Sequence, residues 1–229
     1  MRQHLCIRIT ATMKRIRWAK QMREWFGPDA NIMLDLSGDL WTGAKNTLMS
    51  YKPGDTHMLV LQDDILPCKD IVETAKLLMT LRPDDPITLF SNKARIEQCK
   101  LQNVHWLKMR KWLMAQAYIV PVALIKEFLA WEALHIDQRI YFDDNRWAMF
   151  LFYTNRWTYA TAPSLVEHLG WNGSTLSAYR DNGQPLEARL RMANWFIGFE
   201  ASGKDIDWSD LRYVEDPDGN NSDFSSYYK

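Results

Sequence analysis

The apolar run at residues 57–61 (HMLVL) limits the fold of this chain more than any other segment. A strand without alternating polar residues has to be covered on both faces, which is typical of the middle of a parallel sheet. Two further β-prone runs, at residues 5–10 and 31–36, are each followed by a pattern with helical spacing. Strands that alternate with helices form right-handed βαβ units. The sequence therefore predicts an α/β fold with a mostly parallel central sheet and helices on both faces.

The remaining segments continue this alternation of strands and helices. Further strands are predicted at residues 87–90, 117–121 and 158–166. Helical spacing is found at residues 13–26, from about residue 41, at 69–81, in two patterns after Pro121 of which the second covers 145–153, and at 185–199. We expect a single domain over residues 1–215 and a polar, flexible tail over residues 216–229.

Composition places the chain among ordinary globular proteins. Of its 229 residues, 47% are apolar and 24% are charged, which excludes a wholly disordered chain. The 28 basic and 28 acidic residues cancel, although residues 1–120 carry 18 of the basic residues and only 12 of the acidic ones. This positive half could face phosphates or a polyanion, and scattered solvated charge is the alternative.

The cysteines and the apolar stretches bear on the location of the protein. Cys6, Cys68 and Cys99 form no CxxC pair and leave an odd count, which is typical of a reducing compartment. The longest uncharged apolar stretch, residues 112–125, has 14 residues and is too short to span a bilayer. Arg8 interrupts the amino-terminal apolar run, which argues against a secretory signal. We therefore expect a cytoplasmic protein without a membrane span.

An acidic pair, Asp63 and Asp64, directly follows the apolar strand. In such sheets ligands bind at the carboxyl ends of the strands, where Thr10 and the turn at residues 37–39 also fall. Adjacent carboxylates repel each other unless a cation or hydrogen-bond donors compensate them, and a hard divalent ion accepts oxygens from carboxylate and phosphate together. The pattern favours a metal site, and a helix cap or a solvated loop pair is the alternative.

His168 follows the last predicted strand and precedes a run of small polar residues. Asn172, Gly173 and Ser174 supply polar groups and a close backbone approach that suit phosphate oxygens. A neutral imidazole at this position could ligate a metal. A surface or core histidine followed by a simple turn is the alternative.

Four segments, in the same order along the chain, resemble glycosyltransferases with the GT-A fold. From the amino terminus onwards they are NIMLDLSGDLWTGAKNTL (31–48), HMLVLQDDILPC (57–68), the pair Asp143–Asp144, and APSLVEHLGWNGSTLS (162–177). In this resemblance Gln62-Asp63-Asp64 corresponds to the DxD-type motif, and the matched region covers about residues 5–178. Gln62 stands where many members have an acid, which favours Asp64, supported by Asp63, as the metal contact. The short chain resembles small members from bacterial and bacteriophage genomes.

The resemblance implies a GT-A-like (Rossmann-like) three-layer domain and a metal-dependent transfer of sugar from a nucleoside-diphosphate sugar, with a UDP-sugar as the favoured donor. The implied metal is Mn²⁺ or Mg²⁺, held by Asp64, Asp63 and His168. The implied donor-binding residues are Thr10, Asp35, Lys45, Gln62, Trp171, Asn172 and Ser174. Lys45 could instead be an exposed helix lysine, and Trp171 could stack on a sugar or pack in the core.

An acceptor hydroxyl needs a general base in an inverting transfer, and the resemblance implies Asp144 or Asp143 for this role. The alternative for this pair is a cap on the helix that begins near Asn145. The stereochemistry of the transfer stays open, because a retaining enzyme would not need this base in the same place.

The acceptor is either a saccharide or, in a phage-like enzyme, a hydroxymethylated base in DNA. Binding of DNA would require a groove of basic residues that contact phosphates. Candidates for such contacts are Lys14, Arg15, Arg17, Lys93, Arg95, Lys108, Arg110 and Lys111.

Two other classes of protein compete with the glycosyltransferase hypothesis. A non-catalytic module of the same fold would hold a nucleotide or a glycan. A Mg²⁺-dependent nucleotidyltransferase would also use carboxylates at strand ends, but it favours a glycine-rich phosphate loop, and residues 10–15 (TATMKR) contain no glycine.

Overall fold

The computed structural model describes residues 3–110, 115–136, 143–169 and 193–217 of the chain. Its strands are β1 (Leu5–Thr12), β2 (Ala30–Asp35), β3 (His57–Gln62), β4 (Ile65–Pro67), β5 (Ile87–Thr88), β6 (Trp106–Met109), β7 (Ala117–Pro121), β8 (Thr158–Thr161), β9 (Val166–His168) and β10 (Tyr213–Asp216). Its α-helices are α1 (Ile16–Phe26), α2 (Leu40–Leu48), α3 (Ile71–Leu81), α4 (Ile96–Gln102), α5 (Val122–His135) and α6 (Asp143–Tyr153).

Eight of these strands form one mixed sheet in the order β10-β6-β8-β5-β7-β3-β1-β2, and β4 pairs with β9 in a separate two-stranded ribbon. The apolar strand β3 lies inside the sheet, parallel to β1 and antiparallel to β7. β1, β2, β3, β5 and β8 all run in one direction. We call the edge at which these five strands end the carboxyl edge, and the opposite one the amino edge. The expected α/β fold with a mostly parallel sheet is confirmed, and it is compatible with a Rossmann-like arrangement.

Helices cover both faces of the sheet because its buried strands carry apolar side chains on both sides. Ile7, Ile9 and Leu59 pack with α1 and α3 in one core cluster. Met58 and Val60 point to the other face, where they pack with α2, α5 and α6. The chain therefore forms three layers, as the sequence predicts.

The stretch at residues 158–166, predicted as one strand, is divided between two sheets. β8 ends at Thr161, a cis peptide bond joins Ala162 to Pro163, and the chain then leaves the large sheet to form β9. The backbone of Leu165 hydrogen-bonds to Leu89 and Cys68 instead of continuing the ladder of β8. This break carries His168 towards β4.

The helix predicted at residues 185–199 is wrong over its described part, residues 193–199. Ser164 donates its amide proton to Trp195 and accepts one from Ile197, so the segment lies beside residue 164 in a bridge rather than in a helix. Its backbone groups are therefore used by tertiary partners. Residues 185–192 and the tail beyond residue 217 lie outside the described residues.

None of the helices in the described part of the chain has the length and apolar character needed to cross a bilayer. Cys6, Cys68 and Cys99 are buried free thiols, and burial raises the pKa of each of them, to about 12 for Cys6 and Cys68 and to about 11 for Cys99.

Candidate functional site

The acidic pair lies where β3 leaves the sheet at the carboxyl edge. Asp63 is almost fully buried, with 3% of its side chain exposed. Its Oδ2 accepts a hydrogen bond of 2.8 Å from the amide of Thr12, at the end of the neighbouring β1. Both oxygens of Asp63 are engaged, because Oδ1 lies 2.7 Å from Nη2 of Arg15. Asp63 therefore ties together the ends of the two strands.

Arg15 bridges the two aspartates. It stands at the end of a short 3-10 turn, Met13–Arg15, which connects β1 to α1. Its second nitrogen, Nη1, lies 3.2 Å from Oδ2 of Asp64, and only 14% of its side chain is exposed. From the sequence, Arg15 is predicted to contact a polyanion, and its contact with the two aspartates is not predicted. The available signal was physical: two adjacent buried acids need a counter-cation, and Arg15 follows the neighbouring strand by three residues.

The β4–β9 ribbon brings His168 to the acidic pair. Ile65 pairs with His168 in its register, and the amide of Leu169 donates a hydrogen bond of 2.8 Å to the carbonyl of Asp64. As a result, Nε2 of His168 lies 3.4 Å from Oδ2 of Asp64. Residues 104 positions apart in the sequence thus lie side by side.

The two carboxyl groups have opposite pKa shifts. Burial raises the pKa of Asp63, and the pairing with Arg15 offsets only part of this effect. Burial also acts on Asp64, but its hydrogen bond with His168 and the nearby Arg15 charge outweigh it and lower the pKa. Asp64 is therefore the carboxyl group of this pair whose ionised form is favoured more strongly by its surroundings.

A cleft of about 120 Å³ opens beside the acidic pair at the carboxyl edge. Its lining brings together the following residues singled out in the sequence: Thr10, Arg15, Asp35, Gln62, Asp63, Asp64 and Asp143. They come from the ends of β1, β2 and β3, from the turns that follow β1 and β3, and from the start of α6. Strand ends of a parallel sheet converge in this way, which is why their polar residues share one cavity.

Asp35 is fixed against α2 at the end of β2. Its Oδ1 accepts hydrogen bonds from the amide and the hydroxyl of Ser37, at 2.9 and 2.7 Å. A Cβ at Gly43 would stand only 2.8 Å from Cγ of Asp35, so glycine is what lets this carboxylate lie on the helix. The hydroxyls of Thr10 and Thr47 lie 3.3 Å apart on the same wall. Neither Gly43 nor Thr47 is among the site residues predicted from the sequence.

Of the second acidic pair, Asp143 lines the cleft and Asp144 does not. Burial raises the pKa of Asp143 to about 6. Oδ1 of Asp144 instead accepts a hydrogen bond of 2.8 Å from the amide of Asn145 in the first turn of α6. Tyr118, a buried residue of β7 that the sequence analysis did not single out, also lines the cleft, and burial raises the pKa of its hydroxyl.

Of the remaining donor-binding candidates, Lys45 is described and does not line this cleft. Nζ of Lys45 lies 3.7 Å from Oε2 of Glu132, which also pairs with the buried Arg146. Trp171, Asn172 and Ser174 lie outside the described residues.

The basic candidates do not share one surface. Lys14 and Arg17 are exposed near the carboxyl edge, whereas β6 runs antiparallel to β8 and carries Lys108 and Arg110 towards the amino edge. Nζ of Lys108 lies 4.2 Å from the ring centre of Trp157, and Arg110 donates a hydrogen bond of 2.9 Å to Asn155. Nε of Arg95 lies 3.2 Å from Oδ1 of Asp216. Lys93 follows β5, and Lys111 lies outside the described residues.

Of the predicted metal ligands, Asp64 and His168 lie side by side, and His168 is not part of the cleft lining. Oδ1 of Asp64 is buried and has no hydrogen-bond partner within the described part of the chain. The 3.4 Å between Asp64 Oδ2 and His168 Nε2 is close to the separation of about 3 Å between adjacent ligands of an octahedral cation. No group of three or more His, Cys, Asp or Glu side chains suited to a metal is found in the described ranges. Two protein ligands suffice where phosphates and water complete the shell, which is the usual arrangement for Mg²⁺.

Comparison of the chain with models of known protein families finds no match, and comparison with curated proteins finds no similar sequence.

Proposed function

We propose that this protein is a GT-A-type glycosyltransferase that moves a sugar from a nucleoside-diphosphate sugar, with a UDP-sugar as the favoured donor, to a hydroxyl acceptor. The observation that carries the proposal is that Asp64 lies 3.4 Å from His168 and shares one cleft with Asp143. A carboxylate and an imidazole that lie side by side are suitable ligands for a divalent cation that also binds a diphosphate. Asp143, which lines the cleft from another element, is a suitable proton acceptor.

The polar ends of β1 and β2 form the donor side of the cleft. Thr10 and Asp35 offer a hydroxyl and a carboxylate to the nucleoside, and a carboxylate is a suitable acceptor for ribose hydroxyls. Gln62 ends β3 between them and the acidic pair. The nucleoside then lies on β1 and β2, and its diphosphate is directed towards Asp64.

Asp64 and His168 are the residues that would hold Mn²⁺ or Mg²⁺. When bound, this cation supplies Lewis-acid stabilisation of the negative charge that develops on the leaving diphosphate. Asp63 keeps the strand ends in register through Thr12 and Arg15, so that Asp64 stays at the mouth of the cleft. Asp63 is therefore a positioning residue in this proposal.

Asp143 is the base that an inverting transfer needs. Its raised pKa, about 6, leaves it ionised at neutral pH while keeping it a stronger base than an ordinary aspartate. It accepts the proton of the acceptor hydroxyl as the oxygen attacks the anomeric carbon. The opposing diphosphate then leaves with the electron pair of the broken C–O bond.

A saccharide is the acceptor that the charge distribution favours. DNA would need a continuous positive surface beside the cleft. The basic candidates are instead divided between the two edges of the sheet, and Lys108 and Arg95 are paired with acids or aromatic rings. A salt titration with duplex DNA tests this choice, because steeply salt-dependent binding would favour DNA.

The experiment for the proposed function is a panel of nucleotide sugars incubated with the protein and Mn²⁺. We expect release of nucleoside diphosphate from one class of donor, detected by chromatography, and faster release once the matching saccharide acceptor is added. Binding of UDP without cleavage of any donor in the panel would contradict catalysis and favour a nucleotide-binding module. Release of pyrophosphate from nucleoside triphosphates would instead favour a nucleotidyltransferase.

A further inference from the structure

Arg15 occupies the inside of the site rather than its surface. Its two terminal nitrogens contact different aspartates, Nη2 at 2.7 Å from Asp63 and Nη1 at 3.2 Å from Asp64. Its Nε is buried and has no hydrogen-bond partner in the described part of the chain. The guanidinium is thus held by charge and is not saturated by hydrogen bonds.

The contact with Asp64 falls on the oxygen that also faces His168. Oδ2 of Asp64 lies 3.2 Å from Arg15 and 3.4 Å from Nε2 of His168. A divalent cation bound by Asp64 and His168 would be a second positive charge within a few ångströms of the guanidinium. In a site this buried the two charges are weakly screened and repel each other.

The two contacts of Arg15 are unequal. The shorter contact is to Asp63, whose other oxygen is fixed by the amide of Thr12. The longer contact is to Asp64, whose Oδ1 is without a partner. Losing the second contact leaves Arg15 anchored on Asp63, and it leaves Asp64 free to ligate.

We propose that Arg15 is an internal counter-cation that holds Asp64 in the metal-free protein and yields this carboxylate to the divalent cation while staying on Asp63. The inference rests on the proposed function. It gives the adjacent acids separate roles, because Asp63 anchors the arginine and Asp64 is exchanged between arginine and metal. Arg15 thereby keeps the site neutralised when it is empty, and it lowers the affinity for the metal alone.

The test is a titration with Mn²⁺ alone, in which free Mn²⁺ is followed by electron paramagnetic resonance. Arg15→Gln removes the competing charge, so we expect it to bind Mn²⁺ at least about tenfold more tightly than the wild type. Arg17→Gln is the matched control, since Arg17 is exposed and lies two residues further along the same segment. This control makes the same change in net charge and should bind within about twofold of the wild type. Equal affinities of the two variants would overturn the inference.

A second measurement covers the case in which Arg15→Gln does not fold. In the wild type, side-chain NMR of ¹⁵N-labelled arginine is recorded while Mg²⁺ is added. We expect the Nη signals of Arg15 to shift and those of Arg17 to stay unchanged. Saturation with Mg²⁺ without a change at Arg15 would overturn the inference.

Failure of the inference is distinguishable from failure of the proposed function. If no form of the protein binds Mn²⁺ but a donor is cleaved in the presence of a chelator, the exchange is wrong and the glycosyltransferase stands. If Arg15→Gln binds Mn²⁺ more tightly but no donor is cleaved, the exchange stands and the transfer is wrong.

Discussion

Each edge of the sheet carries an Asp-Asp pair beside an arginine, and the two pairs differ in almost everything else. At the carboxyl edge Arg15 contacts Asp63 and Asp64, whose side chains are 3% and 13% exposed. At the amino edge the chain turns at residues 83–85 before β5, and Asp85 is 39% exposed. The dipeptide is the same, but only the first pair borders a cleft to which several strands contribute.

The two arginines show why the pairs differ. Arg82 makes one contact of 3.6 Å with Asp85, and its guanidinium lies over the rings of Tyr159 and Trp106, at 3.6 and 4.5 Å from their centres. Arg82 therefore stabilises the fold by stacking on aromatic rings. Among the described residues Arg15 has no such contact with an aromatic ring, and it is held by the two acids themselves. An Asp-Asp dipeptide is therefore a candidate site because it follows a buried parallel strand, and the dipeptide alone does not make it one.

The largest effect that separates the two edges is expected for the second aspartate of each pair. Asp64→Asn removes a proposed ligand of the cation that would stabilise the leaving group, and it should lower the rate of donor cleavage by about 10³-fold. Asp85→Asn is the matched change at the amino edge and should leave the rate within about twofold of the wild type. Initial rates with saturating donor and Mn²⁺ check this. Equal losses in both variants would remove the functional distinction between the edges.

The two residues of the second acidic pair at the carboxyl edge, Asp143 and Asp144, should also differ in their effect on transfer. Asp143→Asn removes the proposed base and should lower transfer by about 10²-fold, whereas Asp144→Asn keeps a capping side chain and should change it little. In the wild type the transfer rate should fall as the pH drops below about 6, because Asp143 then becomes protonated. A pH–rate profile of the three proteins measures this. An unchanged profile in Asp143→Asn would reject Asp143 as the base.

The carboxyl group of Asp143 should also affect stability, but in the opposite direction: the ionised form that supports transfer destabilises the fold. A raised pKa means that the ionised form is less stable in the folded than in the unfolded chain, so folding is favoured at low pH and this advantage is lost as pH rises through about 6. Asp143→Asn should therefore raise the melting temperature at pH 8, by about 2–4 °C. The gain should vanish near pH 4. A melting temperature lowered at pH 8 would show that the carboxylate is stabilised in the fold.

At the amino edge the expected effect is on folding alone. Arg82→Ala removes the stacking on Trp106 and Tyr159 and should lower the free energy of unfolding by about 1–3 kcal/mol. Transfer by the folded variant should stay unchanged. Urea unfolding and rate measurements on the same sample check both statements. If Arg82→Ala lost turnover without losing stability, the amino edge would also have a role in the reaction.

The smallest effect is expected at Gly43. Gly43→Ala places a Cβ 2.8 Å from Cγ of Asp35 and should push this carboxylate out of position. Alanine is the better helix former, which offsets about 1 kcal/mol of the strain in α2. We therefore expect KM for the donor to rise about threefold with little change in stability. An unchanged KM would show that Asp35 does not contact the donor.

Much of the carboxyl edge was predictable because its signals are local. Residues 57–61 form a short apolar run that is typical of a buried strand, and Asp63 and Asp64 come directly after the strand ends at Gln62. The start of α2 near Trp41 also has a local cause, since Asp39 accepts hydrogen bonds from the amides of Trp41 and Thr42. These features need only neighbours in the chain.

The contacts that complete the site depend on distant partners. β4 and β9 have three residues each, too few to show a periodic pattern, yet their pairing sets His168 beside Asp64. The choice between Asp143 and Asp144 depends on which side of α6 faces the cleft, which tertiary packing decides. Residues 193–199 have helical spacing, but they hydrogen-bond to Ser164 and Ser91 instead. Local propensity was overridden there by partners elsewhere in the chain.

The most direct test of the central claim is an NMR titration of the ¹⁵N-labelled protein with UDP and Mg²⁺. If the carboxyl edge is the donor site, backbone amides of Thr10, Thr12 and Asp64 should shift during the titration, and those of Asp84 and Asp85 should not. Shifts centred on the amino edge, or no saturable shift at either edge, would contradict the account.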